Sequence, residues 1–114
     1  MKKIEAMVAP EVFPRVSDAL KKIGVGGFTC FDTKGIGQRP IREMHGARGT
    51  GTYTPEFNTN CSLLVVVKDS DVDKVIQAIV NTTSTGMNGE GKIFVSNVEE
   101  AIDIGSKKRG DSVL

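Results

Sequence analysis

The stretch LLVVVKDSDVDKVIQAIV, residues 63–80, sets two periodicities side by side and decides the fold. Leu63 to Val67 is a continuous apolar run, the pattern of a strand covered on both faces. Ser70 or Asp71 can then cap a helix. Val72, Val75, Ile76, Ile79 and Val80 recur at helical spacing and form an apolar stripe. A strand followed at once by an amphipathic helix is half of a layered α and β domain.

Working outward, the same unit is repeated upstream. Residues 3 to 9 alternate around Ile4, Ala6 and Val8 as in a half-buried strand that stops at Pro10. From Phe13 the pattern turns helical. Pro14 suits a first helical position, and Val12, Val16, Ala19, Leu20 and Ile23 share a face. Lys21 and Lys22 favour the C-terminal end of the dipole, and Gly24 is the stop. A second strand is expected over about Phe28 to Ile36. Residues 37 to 59 carry glycines, prolines, threonines and asparagines without sustained periodicity, so a long functional or mobile loop is expected there. After the second helix comes a glycine loop, TGMNGEG (85–91), then a fourth strand at Lys92 to Val95. The tail from Gly105 is polar and basic and is expected to be less ordered. The order βαββαβ, with a long loop between strands 2 and 3, predicts an α+β ferredoxin-like sandwich with an antiparallel sheet.

Composition narrows the function classes. The chain has 114 residues, 39% hydrophobic and 25% charged, which suits one domain. So small a domain gains from burying surface against copies of itself, and oligomerisation is expected. A sheet as apolar as Leu63 to Val67 points to assembly through the sheet, so that a charge at Val65 should break assembly or folding. A net charge of +1 gives no electrostatic track for nucleic acid or anionic lipid. The N-terminus MKKIEAMVAP lacks a signal-peptide stretch, and no run is long enough for membrane insertion, so a cytoplasmic protein is expected. No catalytic set or metal cluster stands out.

Cys30 and Cys61 lack the spacing of a zinc site or a CxxC pair and are expected to be buried reduced thiols. In a hairpin of their two strands, Cys30 would lie opposite the far end of its neighbour, about six residues from Cys61. At about 3.3 Å per residue that is too far for a bridge.

In the glycine loop, Gly86, Gly89 and Gly91 let backbone N–H groups approach an anion, and Lys92 follows to neutralise it. The sequence alone leaves two readings, an ordinary turn or a phosphate cradle. Five segments in order, MKKIEA at the start, VGGFT (25–29), KGIG (34–37), TGMNGEGKIFV (85–95) and VEEAIDI (98–104), resemble the PII family of nitrogen-regulatory signal-transduction proteins over nearly the whole chain. The resemblance implies a single PII-like domain over 1–114, with a T-loop at 37–57, a B-loop at 83–91 and a C-loop at 103–109. It also implies a homotrimer with effector clefts between subunits. Gly35, Gly37, Gln38, Arg39, Val66, Gly89, Glu90, Gly91 and Lys92 would line one side of the cleft, and Gly27, Phe28 and Thr29 of a neighbouring subunit the other. Tyr53 matches a tyrosine that some members have modified; it can equally be an aromatic packed beside Phe57.

Departures from the family pattern shape the expected ligand. Two C-loop arginines of the family are Asp103 and Gly105 here, which reverses the local field and predicts weakened ATP or ADP binding. Lys107, Lys108 and Arg109 are the cations left to compensate. The glutamine that helps hold magnesium and 2-oxoglutarate is Arg39, with Gln38 one position early. Glu90 stands for an aspartate, and Leu64 for an acidic residue. Arg39, Arg42 and Arg48, with His45 as a further donor, make the loop root cationic and suit a small carboxylate such as 2-oxoglutarate or citrate. The alternative is that these arginines are solvated or meet a partner's acidic surface. The resemblance thus implies a non-enzymatic regulator of nitrogen and carbon metabolism that controls a transporter or metabolic enzyme through its T-loop. A divergent scaffold that docks to protein without any nucleotide is the second reading.

Overall fold

A computed structural model describes residues 1–37, 57–84, 86 and 91–114, together with the backbone of 44–45 and 52–53. The first strand, β1 (Lys2–Val8), leads through a short 3-10 turn at Pro10–Val12 into α1 (Phe13–Lys22), followed by β2 (Thr29–Gly35). Two short strands, β3 (Met44–His45) and β4 (Thr52–Tyr53), pair with each other. Then come β5 (Asn58–Val67), α2 (Val72–Thr83) and β6 (Gly91–Asn97). The four long strands form one antiparallel sheet in the order β2-β5-β1-β6. This is the ferredoxin-like arrangement, with a helix after the first and third long strands.

The alternation of β1 is as its sequence predicts. Ile4, Ala6 and Val8 are buried, facing Leu63, Val65, Val67 and Cys61 on the side where Val16 and Leu20 of α1 and Val75 and Ile79 of α2 pack. Gly24 stops α1 in a left-handed conformation, φ +84°, which glycine adopts without a Cβ penalty. Its N–H donates to the Lys21 carbonyl and that of Val25 to the Leu20 carbonyl, the paired bonds of a Schellman ending. In α2, Asp71 occupies the N-cap without a side-chain capping bond. Val80 is exposed and Ala78 packs in its stead, so the stripe is rotated slightly from the expected one.

Three expectations are corrected. The strand containing Leu63–Val67 begins at Asn58, well before its apolar run, and within that run Leu63, Val65 and Val67 are buried whereas Leu64 and Val66 are half-buried on the other face. Cys30 and Cys61 are joined by a disulfide, not held as free thiols. The reason is register. β2 pairs with the first part of β5, Cys30 opposite Leu63 and Asp32 opposite Cys61, so the cysteines are diagonal neighbours on one face with Cα atoms 6.4 Å apart. The tail, finally, folds back. An isolated bridge joins Ile102 to Arg109, and the Gly110 N–H donates to the Ala101 carbonyl.

Candidate functional site

Gly35 and Gly91, two of the glycines that the sequence singles out, sit toward one end of the sheet. Gly91 opens β6 opposite Val8 with φ +130°, and a Cβ there would lie 2.1 Å from the Met7 carbonyl oxygen. Only glycine fits so close to a neighbouring backbone. Lys92 follows opposite Met7, exposed. On the other edge, Gly35 ends β2 opposite Asn58, and a Cβ there would press on the Asn60 side chain at 3.1 Å. Gly37 is exposed, with nothing among the described residues close to where a Cβ would stand. Three strand spacings, about 14 Å, separate the β2 and β6 edges, so a ligand touching both must be extended.

Thr29, Gly27 and Phe28 lie at the opposite end of β2. Thr29 and Gly27 are exposed, whereas Phe28 packs edge-on against Phe13 with ring centroids 6.4 Å apart. Phe28 is therefore committed to the core margin, which leaves its backbone for any cleft. The β2 ladder stops at Thr29 opposite Leu64, so Val65–Val67 have a strand neighbour only on the β1 side. Val66 thus lies on a stretch of β5 that β2 does not cover. Within one chain Thr29 and Gly35 are at opposite ends of a strand, so Gly35 is held away from the Gly27–Thr29 segment, whereas Val66, two residues beyond Thr29's partner Leu64, lies at the Thr29 end.

The C-terminal turn is organised by the residue that departs from the family pattern. The Asp103 carboxylate accepts bonds from the Ser106 hydroxyl at 2.7 Å and the Ser106 N–H at 2.8 Å. These two bonds, the hydroxyl's first, hold its pKa below the ordinary carboxylate value. The Asp103 N–H donates to the Lys108 carbonyl, and the Lys107 N–H to the Asp103 carbonyl, with Lys107 itself at φ 62°. Arg109 pairs with Glu100 at 2.6 Å, so one of the compensating cations is already engaged. Ser106 and Glu100 were not expected in these roles. The spacing Asp103 to Ser106, an acceptor three residues before a hydroxyl donor, is the signal that could have found the first.

Gln38, Arg39, Arg42, Arg48, Gly89 and Glu90 lie outside the described residues. His45 pairs with Thr52 and Met44 with Tyr53 along β3 and β4, which places the backbone of His45 and Tyr53 in one small ladder. Among the described residues no cluster of three or more histidines, cysteines or acids is arranged to hold a metal ion. No described helix is long and apolar enough to cross a membrane.

The face of the sheet away from the helices is open. Met7, Phe31 and Phe94 are 40%, 49% and 49% exposed there, beside half-buried Leu64 and Val66. On that face Lys3 pairs with Glu5 at 3.0 Å, and the Thr33 hydroxyl with that of Ser62 at 3.0 Å.

Residues 1–108 match the family model described as nitrogen regulatory protein P-II. The chain is 41% identical over 111 residues to a nitrogen regulatory protein P-II of Rhizobium meliloti, covering 96% of each chain. It is 40% identical to one from Haemophilus influenzae and 37% identical to one from Azospirillum brasilense, over the full length of both chains in each case.

Proposed function

The chain belongs to the nitrogen regulatory protein P-II family, a family of regulators and not of enzymes, and on that premise we propose that it acts as a trimeric effector sensor in nitrogen metabolism. The observation that carries this is the open sheet face. Met7, Phe31, Leu64, Val66 and Phe94 present apolar surface on that face, with Glu5 between Leu64 and Phe94 and Ser62 between Phe31 and Met7; no element of the chain covers it among the described residues, and a neighbouring copy would bury it. Assembly through that face would also bring the Thr29 end of one copy's β2 near the glycine end of another's sheet, which a single chain keeps apart.

The domain then spans 1–114, with the T-loop at 37–57, the B-loop at 83–91 and the C-loop at 103–109. The cleft takes an anion. Gly91 permits close approach of backbone, Lys92 supplies charge, and the exposed Gly37 leaves the root of the T-loop open. Adenine nucleotide binds weakly, because Asp103 is ionised and Arg109 is held by Glu100. A small carboxylate such as 2-oxoglutarate or citrate is the better match to Arg39, Arg42, Arg48 and His45. The effector biases the T-loop between conformations, and the T-loop docks to a transporter or metabolic enzyme.

Calorimetric titration of ATP, ADP, 2-oxoglutarate and citrate into the purified protein tests this. The carboxylates should bind more tightly than the nucleotides, and Arg39→Ala should weaken them. If none of the four binds, the scaffold works by protein docking alone. Tight ATP binding would show that Asp103 and Gly105 were misread.

A further inference from the structure

We infer that Cys30 and Cys61 form a reversible thiol–disulfide site that latches the edge strand β2 to β5. Four observations support it. The bridge joins adjacent strands, not distant elements, and β2 has β5 as its one neighbour in the sheet. The edge strand is thinly held. Most of its side chains are exposed; the Thr33 hydroxyl bonds to the Ser62 hydroxyl and the Asn60 carbonyl. The bridge spans a sequence separation of 31, so the distal half of β2, residues 36–57 and the start of β5 all lie inside one covalent ring. Finally, the two sulfurs differ in access. Cys61 is 4% exposed within the core cluster, whereas Cys30 is half-buried at the core margin.

That asymmetry gives the exchange a direction. The thiolate of an external dithiol attacks Cys30 Sγ, the more accessible sulfur; the S–S bond breaks and Cys61 leaves as a thiolate, which takes a proton. The second thiol of the reductant then attacks its own sulfur in the mixed disulfide, releasing Cys30 as a thiol and closing the reductant's disulfide. Two electrons and two protons pass from the dithiol to the protein. The reverse steps, with an external disulfide, re-form the latch. Both states remain folded, because a reduced Cys61 sits in the core as a small apolar side chain. What changes is the hold on β2. Oxidised, it is tied covalently partway along; reduced, its distal half depends on ladder hydrogen bonds, and edge strands open first.

The site is tested on the full chain. Protein is equilibrated across ratios of reduced to oxidised dithiothreitol, and thiols are counted by maleimide mass shift after denaturation. Amide hydrogen exchange is then followed for β2 in each state. Two thiols should be found at the reducing end and none at the oxidising end. Amides of 31–35 should exchange about tenfold faster when reduced, with α1 and α2 unchanged. Cys30→Ser should show the fast exchange whatever the dithiothreitol ratio. Cys61→Ser, which keeps the accessible sulfur, should form a mixed disulfide with oxidised glutathione faster than Cys30→Ser does. Thiols that stay reduced throughout would overturn the inference, as would equal exchange in the two states or equal reactivity of the two variants.

Discussion

The two faces of the sheet are built from the same strands and end differently. On the helix side, Ile4, Ala6, Leu63 and Val65 are at most 1% exposed; on the other, Met7, Phe31 and Phe94 keep 40% or more of their surface. Register sets this difference, because each residue's immediate neighbours point the opposite way. The first face is finished within the chain, and it carries stability. The second is left open by the described residues, and in the proposed trimer it would carry assembly. Mutations on the two faces should therefore fail in different ways.

The largest effect is expected on the closed face. Leu63→Ala should lower unfolding free energy by about 3 kcal/mol in a urea titration, since it removes a buried side chain from the centre of the core. Val65→Asp should prevent folding outright, because the charge would be stranded in that core. Of the two outcomes expected for a charge at Val65, broken assembly or broken folding, its burial in the core selects the second. Phe94→Glu, on the open face, should instead leave far-UV circular dichroism intact while light scattering shows a smaller particle. If Phe94→Glu unfolds the protein, the division between the faces is wrong.

Gly91→Ala sharpens the comparison at the edge where both faces end. A methyl group cannot fit 2.1 Å from the Met7 carbonyl, so the start of β6 must shift, costing about 1–3 kcal/mol and weakening any anion bound there. Thermal melts with and without citrate would separate the two consequences. A smaller effect is expected in the C-terminal turn. Gly105 has ordinary backbone geometry and no close neighbour beyond Asp103 at 3.7 Å, so Gly105→Arg should restore a cation without breaking the turn and tighten ATP binding by about tenfold. Asp103→Arg would be a poor test, because it also removes the acceptor that holds Ser106.

The same carboxylate gives the smallest effect, a pH dependence. Its folded pKa is depressed, so its support of the turn is full above the ordinary carboxylate value and is lost as pH falls through the lower folded value. The Ser106 amide resonance should move with a midpoint below the ordinary aspartate range. A midpoint at the ordinary value would mean that the two bonds do not favour the ionised form.

Much of the fold was legible because it is written in periodicity. The alternation at Ile4, Ala6 and Val8, the helical stripes and the stop at Gly24 each name an element and its buried side. What was not legible depends on register. Nothing local to Asn58–Asn60 marks them as strand, since they are polar, yet their pairing with β2 moves Cys61 beside Cys30. The C-terminal turn escaped for a different reason. It rests on one side chain, Asp103, and on Lys107 in a left-handed conformation, and neither leaves a periodic trace. Of the candidate site, the need for glycine at position 91 was readable. That Thr29 and Gly35 sit at opposite ends of one strand also followed from a strand expected over about Phe28 to Ile36; where Val66 falls beside that strand did not, because only the register shows it.

The central claim is that the open face of the sheet is an interface between copies of this chain. Light scattering coupled to gel filtration tests it most directly. The account predicts a particle three times the 12.2 kDa of the chain, falling to the single-chain mass in Phe94→Glu. A wild-type protein that elutes and scatters at 12.2 kDa across the accessible concentration range would contradict it.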